Sequence, residues 1–119
     1  MDKKQKGDYG ENIAAGYLRA RGYDIIQENY RAKNPEIRGE IDIIARLGEL
    51  IVFVEVKFRR QLKYGRPAES ITPAKIAHLQ AAAQDYLYAH DLAESNCRFD
   101  VLEIFGREIF EVNHIENAF

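Results

Sequence analysis

An α/β domain with the element order αβββαββ follows from three features of this 119-residue chain. Apolar residues recur at helical spacing near the N-terminus. Two runs rich in Ile, Val and Phe, IDIIAR and LIVFVEVKF, flank a Gly-Glu pair. Thr72-Pro73 then opens a second helical pattern that precedes two more strand-like runs.

The first helix is predicted from Asp8 to Arg21, where Ile13, Ala14, Tyr17, Leu18 and Arg21 recur at spacings of three and four, with Gly22 as its stop. YDIIQENY reads as a strand, and RAKNPEIR, with its proline and mixed charges, as a loop. IDIIAR and LIVFVEVKF then form a hairpin. Gly48-Glu49 suits a type II′ turn, which has glycine at its first central position, and this turn pairs Leu47 with Leu50. That register sets Asp42 opposite Glu55 and Glu40 opposite Lys57. Four charges then share one face, and Val52, Val54, Val56 and Phe58 take the other.

RRQLKYGRPAES reads as an exposed loop. Thr72 is the predicted N-cap of the second helix, with Pro73 at its first position. Ile76, Leu79, Ala83, Tyr86 and Leu87 mark its buried stripe as far as about His90. CRFDVLEIF and EIFEVNHI are strands joined near Gly106-Arg107. No repeat, low-complexity tract or linker interrupts the chain, so residues 1–119 read as one domain.

Composition narrows the function. With 17 Lys and Arg against 19 Asp and Glu, the formal charge is −2, which excludes a generic polyanion binder and makes any nucleic-acid surface local. Cys97, the single cysteine, excludes an internal disulfide and a cysteine-based zinc cluster, and fits a reducing, cytoplasmic setting. No run approaches the roughly 18 apolar residues of a membrane span, so a soluble protein with no membrane partner is expected.

Two carboxylates across a hairpin, Asp42 and Glu55, with Lys57 one pleat along, suit a hard divalent cation such as Mg²⁺ or Mn²⁺. Such an ion prefers oxygen ligands and keeps positions for water and a substrate phosphate. In phosphodiester cleavage it polarises the phosphate and acidifies water, while an ammonium stabilises developing charge. The competing reading is a solvated salt-bridge cluster worth about 0.2–1 kcal/mol per pair. Glu40 reads equally as a supporting carboxylate or as the ion-pair partner of Lys57. Between residues 57 and 75, Lys57, Arg59, Arg60, Lys63, Arg66 and Lys75 face only Glu69 as an opposing charge. This positive cluster, with Tyr64 beside Gly65, suits DNA phosphates better than an ordinary solvated loop does. His78, His90 and His114 lack ligand spacing and read as surface or packing residues, and Tyr17, Tyr86 and Tyr88 as core or interface packing residues. Asp100 reads equally as support for the site or as a buried hydrogen-bonding group.

The helix bearing Glu11, GEIDIIA with Asp42, and VFVEVKFR with Glu55-x-Lys57 together resemble the PD-(D/E)xK nuclease superfamily, which includes restriction endonucleases and archaeal Holliday-junction resolvases. GENIAAGYLRARGYDIIQENYR, the YG before the second helix, CRFDV and the closing NAF extend the resemblance over nearly the whole chain, to the bacterial YraN-like family. The resemblance implies a restriction endonuclease-like αβββαβ core, a mixed sheet flanked by two helices. It also implies a metal-dependent endonuclease acting on DNA phosphodiesters, branched or structured DNA included. By the same resemblance, Asp42 and Glu55 are metal ligands, Lys57 orients the attacking water, and Glu11 is the first-helix glutamate brought to the metal. Asp8-x-x-Glu11 also fits a capping box, which gives Glu11 a competing role. Ile41 stands where the superfamily usually has proline, and AKNPEIR is longer than the usual family loop. Paired cuts in branched DNA favour a two-fold homodimer. The alternatives are a non-catalytic DNA- or protein-binding module with a nuclease fold, and a purely structural module.

Overall fold

The computed structural model describes residues 3–59, 71–106 and 108–119, with side chains from residue 12 onward. Its elements are α1 (Lys3–Ala20), β1 (Asp24–Arg31), β2 (Glu40–Leu47), β3 (Leu50–Arg59), α2 (Pro73–Ala89), β4 (Cys97–Gly106) and β5 (Phe110–Ile115). The five strands form one sheet in chain order. β3 and β4 run parallel, and every other neighbouring pair is antiparallel. A parallel pair needs a long crossover, and α2 lies within it.

Helix α1 starts at Lys3, well before Asp8. Lys and Gln are good helix formers, so the KKQK run propagates the helix rather than ending it. Asp8 is therefore interior and is not the N-cap that a capping box with Glu11 requires. The C-terminus follows expectation. Gly22 takes φ +90, its N–H donates to Arg19 O at 3.1 Å, and the Tyr23 N–H donates to Leu18 O at 3.0 Å. This Schellman pattern satisfies carbonyls that the helix end would otherwise leave unpaired.

The hairpin keeps the expected register from Leu47↔Leu50 to Ile43↔Val54. Gly48 adopts φ +62, the positive value that a type II′ turn needs at its first central position. Strand alternation then splits the core into two layers. Ile43, Ala45, Val52, Val54, Leu102 and Ile104 pack with Ala14, Ala15 and Leu18 of α1. Ile44, Ile51 and Phe53 pack with Leu79, Ala82, Ala83, Tyr86 and Leu87 of α2. By the same alternation Glu55, Lys57 and Arg59 extend from β3 on the α2 side.

Helix α2 is capped as expected. Thr72 Oγ1 accepts the Lys75 N–H at 3.1 Å, and Pro73 opens the first turn. A cap of this kind contributes about 1 kcal/mol. Tyr86 is buried in the core, whereas Tyr88 is 83% exposed and is not part of that core.

Candidate active site

The site begins where β2 and β3 part. The ladder between them ends at Ile43↔Val54, and the next residues in register are Asp42 and Glu55. Strict alternation would put Ile41 with Ile43 on the α1 side, yet Ile41 packs with Ile44 and Phe53 on the α2 side. The β2 backbone therefore rotates about Asp42. The Val56 N–H, which a continued ladder would aim at Ile41, donates instead to Asp42 Oδ2 at 2.8 Å. Asp42 thus fastens the mouth between two diverging strands, and the flat face of four charges expected from an unbroken hairpin is not formed.

Gly39 makes this entry into β2 possible. Its φ is +125, and a Cβ there would lie 2.8 Å from the His78 carbonyl oxygen of α2. A side chain would drive the strand away from the helix.

Glu55 is buried, with 5% exposure. Its Oε2 lies 3.4 Å from Lys57 Nζ and 3.4 Å from Lys75 Nζ. Lys57 comes from the same strand, and Lys75 from the first turn of α2, where the Thr72 cap sets it. On its other side Glu55 joins Ile41, Phe53, Val54, Leu79, Phe99 and Phe119 around a cavity of about 10 Å³. That volume is at the lower limit for one water, so the carboxylate rests on an apolar wall and meets its compensating charge on the other side. Lys75, expected only as a phosphate-gripping residue, is here a partner of Glu55. Glu40 pairs with its cross-strand neighbour Arg31 at 3.0 Å, while the ammonium of Lys57 goes to Glu55.

Three further side chains join this face. Glu103 of β4 is the register neighbour of Lys57 and is fully buried. Its Oε1 accepts from Asn113 Nδ2 of β5 at 2.9 Å. Its Oε2 has no hydrogen-bond partner among the described residues and lies 3.6 Å from Arg59 Nη2. Sequence reasoning passed over Glu103 and Asn113. The available signal was a lone carboxylate in the apolar run VLEIF, the same signal that marks Glu55.

Asp100 lies on the other side of the sheet, in a hydrogen-bonding network with α1 and the C-terminal segment. Arg98 grips both its oxygens at 2.8 Å, His114 Nε2 lies 2.7 Å away, and the Asn117 N–H donates at 3.0 Å. Arg98 also donates to the Tyr23 hydroxyl at 2.8 Å and pairs with Glu116 at 3.0 Å. Tyr17 is 3.4 Å from His114 Nδ1. Burial pushes the Asp100 carboxyl up, but hydrogen bonds from His114, Arg98 and Asn117 outweigh it and hold the group below its ordinary value. The contact with Asp100 raises the Arg98 guanidinium still further above its already high value. Of the two readings for Asp100, the structure gives the buried hydrogen-bonding one, and it gives His114 a specific polar partner.

The structure therefore brings Asp42, Glu55, Lys57, Lys75 and Arg59 to one region. Glu11 is on α1 with its side chain outside the described residues, and Arg60, Lys63 and Arg66 lie outside them altogether. Among the described residues no group of three or more His, Cys, Asp or Glu is arranged to hold a metal ion. Asp42 and Glu55, on adjacent strands, are donors of the type that a hard divalent cation takes, its remaining ligands coming from water and phosphate. The two ammonium groups drawn to one Glu55 oxygen mark that point as one that favours positive charge. Among the described residues no helix is long and apolar enough to cross a membrane.

Comparison with known proteins agrees with this architecture. Residues 10–104 match the uncharacterised protein family UPF0102. A UPF0102 protein of Dehalococcoides mccartyi is 48% identical over 103 residues, which cover 87% of this chain and 82% of the relative. One from Clostridioides difficile is 43% identical over 119 residues, covering 100% of each chain. Among solved structures, Hjc, a Holliday junction resolvase from Archaeoglobus fulgidus, is similar over 89% of this chain and 74% of its own, with a TM-score of 0.52 at 17% identity. That likeness is one of fold, and it identifies the mixed sheet with two helices as restriction endonuclease-like. Given the match over residues 10–104 and full-length relatives, the chain belongs to the UPF0102, or YraN-like, family.

Proposed function

We propose that the protein is a metal-dependent endonuclease that hydrolyses DNA phosphodiester bonds, with branched DNA as the first substrate to test. The observation that carries this reading is the buried Glu55, two residues from Lys57 on one strand, beside Asp42 where β2 leaves β3. The shared fold with a Holliday junction resolvase supports the choice of substrate.

In this reading Asp42 and Glu55 hold Mg²⁺ or Mn²⁺, which when bound polarises a phosphate and acidifies water. The hydrogen bond from Val56 fixes the Asp42 carboxylate in advance. Lys75 is 43% exposed, so its ammonium could give up Glu55 to a bound cation. Lys57 is less exposed and stays beside the reacting phosphate, where its ammonium orients water and offsets developing negative charge. The apolar wall beneath Glu55 excludes water and strengthens each of these charge interactions. Arg59, with Arg60, Lys63 and Arg66 following it in sequence, grips flanking phosphates, and Glu11 adds a carboxylate from α1. A two-fold dimer would place two such sites for paired cuts.

The test is cleavage of linear, nicked and four-way-junction DNA with Mg²⁺ or Mn²⁺. The native chain should cut, and Asp42→Ala and Lys57→Ala should each lose on the order of 100-fold in rate. No cutting by the native chain, or equal cutting by both variants, sinks the proposal. One observation favours a second reading, a DNA-binding module that does not cut. Glu55 already has two cations at 3.4 Å, a balanced arrangement without metal. This reading expects junction binding with no cleavage under any metal.

A further inference from the structure

We infer that Glu103 is a positioning residue of this site, a buried carboxylate that aims Arg59 at a DNA phosphate. The inference rests on the proposed DNA-directed function but not on cleavage.

Glu103 carries a formal charge at a fully buried position of β4, which is costly unless the charge is compensated. Asn113 holds one oxygen at 2.9 Å and so fixes the plane of the carboxylate. The other oxygen makes no hydrogen bond among the described residues and faces Arg59 Nη2 at 3.6 Å. Lys57, the register neighbour of Glu103, is committed to Glu55 at 3.4 Å. The two β3 cations are thus divided between two buried carboxylates. Each acid lies beneath a cation whose side chain reaches solvent, since Lys57 and Arg59 are part-exposed while Glu55 and Glu103 are not. Rotamer-rich Arg side chains lose entropy on binding, so a charge anchored from below presents its guanidinium at lower cost.

The inference makes a prediction opposite in sign to simple electrostatics. Glu103→Gln makes the protein more positive, so unaided Coulomb attraction would tighten DNA binding. If Glu103 positions Arg59, the variant should bind junction DNA several-fold more weakly. Its slope of log affinity against log salt should fall by about one, the loss of one phosphate contact. Arg59→Gln should show the same loss, and the double variant no further loss. Asn113→Ala, which keeps the charge but releases the carboxylate plane, should weaken binding in the same direction by less.

Binding is read by fluorescence anisotropy in Ca²⁺, and thermal melts identify any variant that fails to fold. Should Glu103→Gln unfold, Asn113→Ala against Arg59→Gln decides the matter by the same salt slopes. Native or tighter binding by folded Glu103→Gln, or additive losses in the double variant, overturns the inference. A native chain that binds junctions without cutting them refutes the nuclease reading and leaves this inference standing. A native chain that binds no DNA overturns both.

Discussion

The Asp42 carboxylate accepts the Val56 backbone N–H at 2.8 Å, one residue beyond the last ladder pair between β2 and β3. A side chain here does the work of a missing backbone partner, so Asp42 has a structural role beside its proposed catalytic one, and substitutions can separate the two. Asp42→Ala leaves the Val56 N–H without this acceptor and should cost about 1–3 kcal/mol in urea unfolding. Asp42→Asn keeps an acceptor and should remain within about 1 kcal/mol of native. Both variants should lose cleavage. Equal destabilisation by the two would show that the hydrogen bond is not the source of the stability.

If Glu55 takes the proposed divalent cation, Lys75 is its competitor for the Glu55 oxygen. Lys75→Ala should therefore tighten Mn²⁺ binding by up to about fivefold, the equivalent of roughly 1 kcal/mol for a half-exposed ion pair. Calorimetric titration of the metal into native and variant protein measures this directly. Unchanged or weaker affinity would mean that the cation binds elsewhere.

Asp100 should govern acid stability. Its carboxyl titrates below the ordinary value of 3.8, so its contribution is present above about pH 4 and is lost as pH falls through the folded-state value. Asp100→Asn should be about 3–5 kcal/mol less stable than native at pH 7, because it strips a buried charge from Arg98. The gap should narrow below about pH 4. Urea midpoints at pH 7 and pH 3 test this, and a gap that stays constant would contradict it.

Tyr30 should be a late-titrating phenol. Burial first, and then the hydrogen bond to Asp85 at 2.5 Å, raise it to about 12 from 10.0. Because the folded value lies above the unfolded one, this contribution is complete below pH 10 and is lost as pH rises through about 12. Ultraviolet titration should show the last phenolate step moving to lower pH in Asp85→Asn. A step that does not move would remove Asp85 as a cause.

Much of this arrangement was legible in the sequence where local chemistry decides it. Gly48 accepts a positive φ that most residues resist, and that one turn sets which residue of β2 faces which residue of β3. Thr72-Pro73 and Gly22 marked helix ends for similarly local reasons. What escaped depends on contacts distant in sequence. Lys57 meets Glu103 through a parallel pairing that the α2 crossover creates, and no local pattern announces which strand will lie next to β3. Lys75 turned to Glu55 because α2 packs over that end of the sheet, a tertiary outcome that the local sequence pattern does not mark. The rotation about Asp42 follows from packing Ile41 under α2, which overrides strand alternation. The start of α1 was missed for a simpler reason: polar helix formers carry no apolar stripe to mark them.

Phe119 packs against Phe99 in a tilted arrangement, with ring centroids 5.1 Å apart, and the Ala118 N–H donates to Phe99 O at 2.7 Å. Phe119 thereby forms part of the wall under Glu55. Any purification tag, fluorophore or fusion partner attached directly after Phe119 would start beside the wall of the candidate site. Labels for binding or turnover experiments belong on exposed Tyr88 of α2 or at Cys97, and a C-terminal tag should be cleaved before metal affinity is measured.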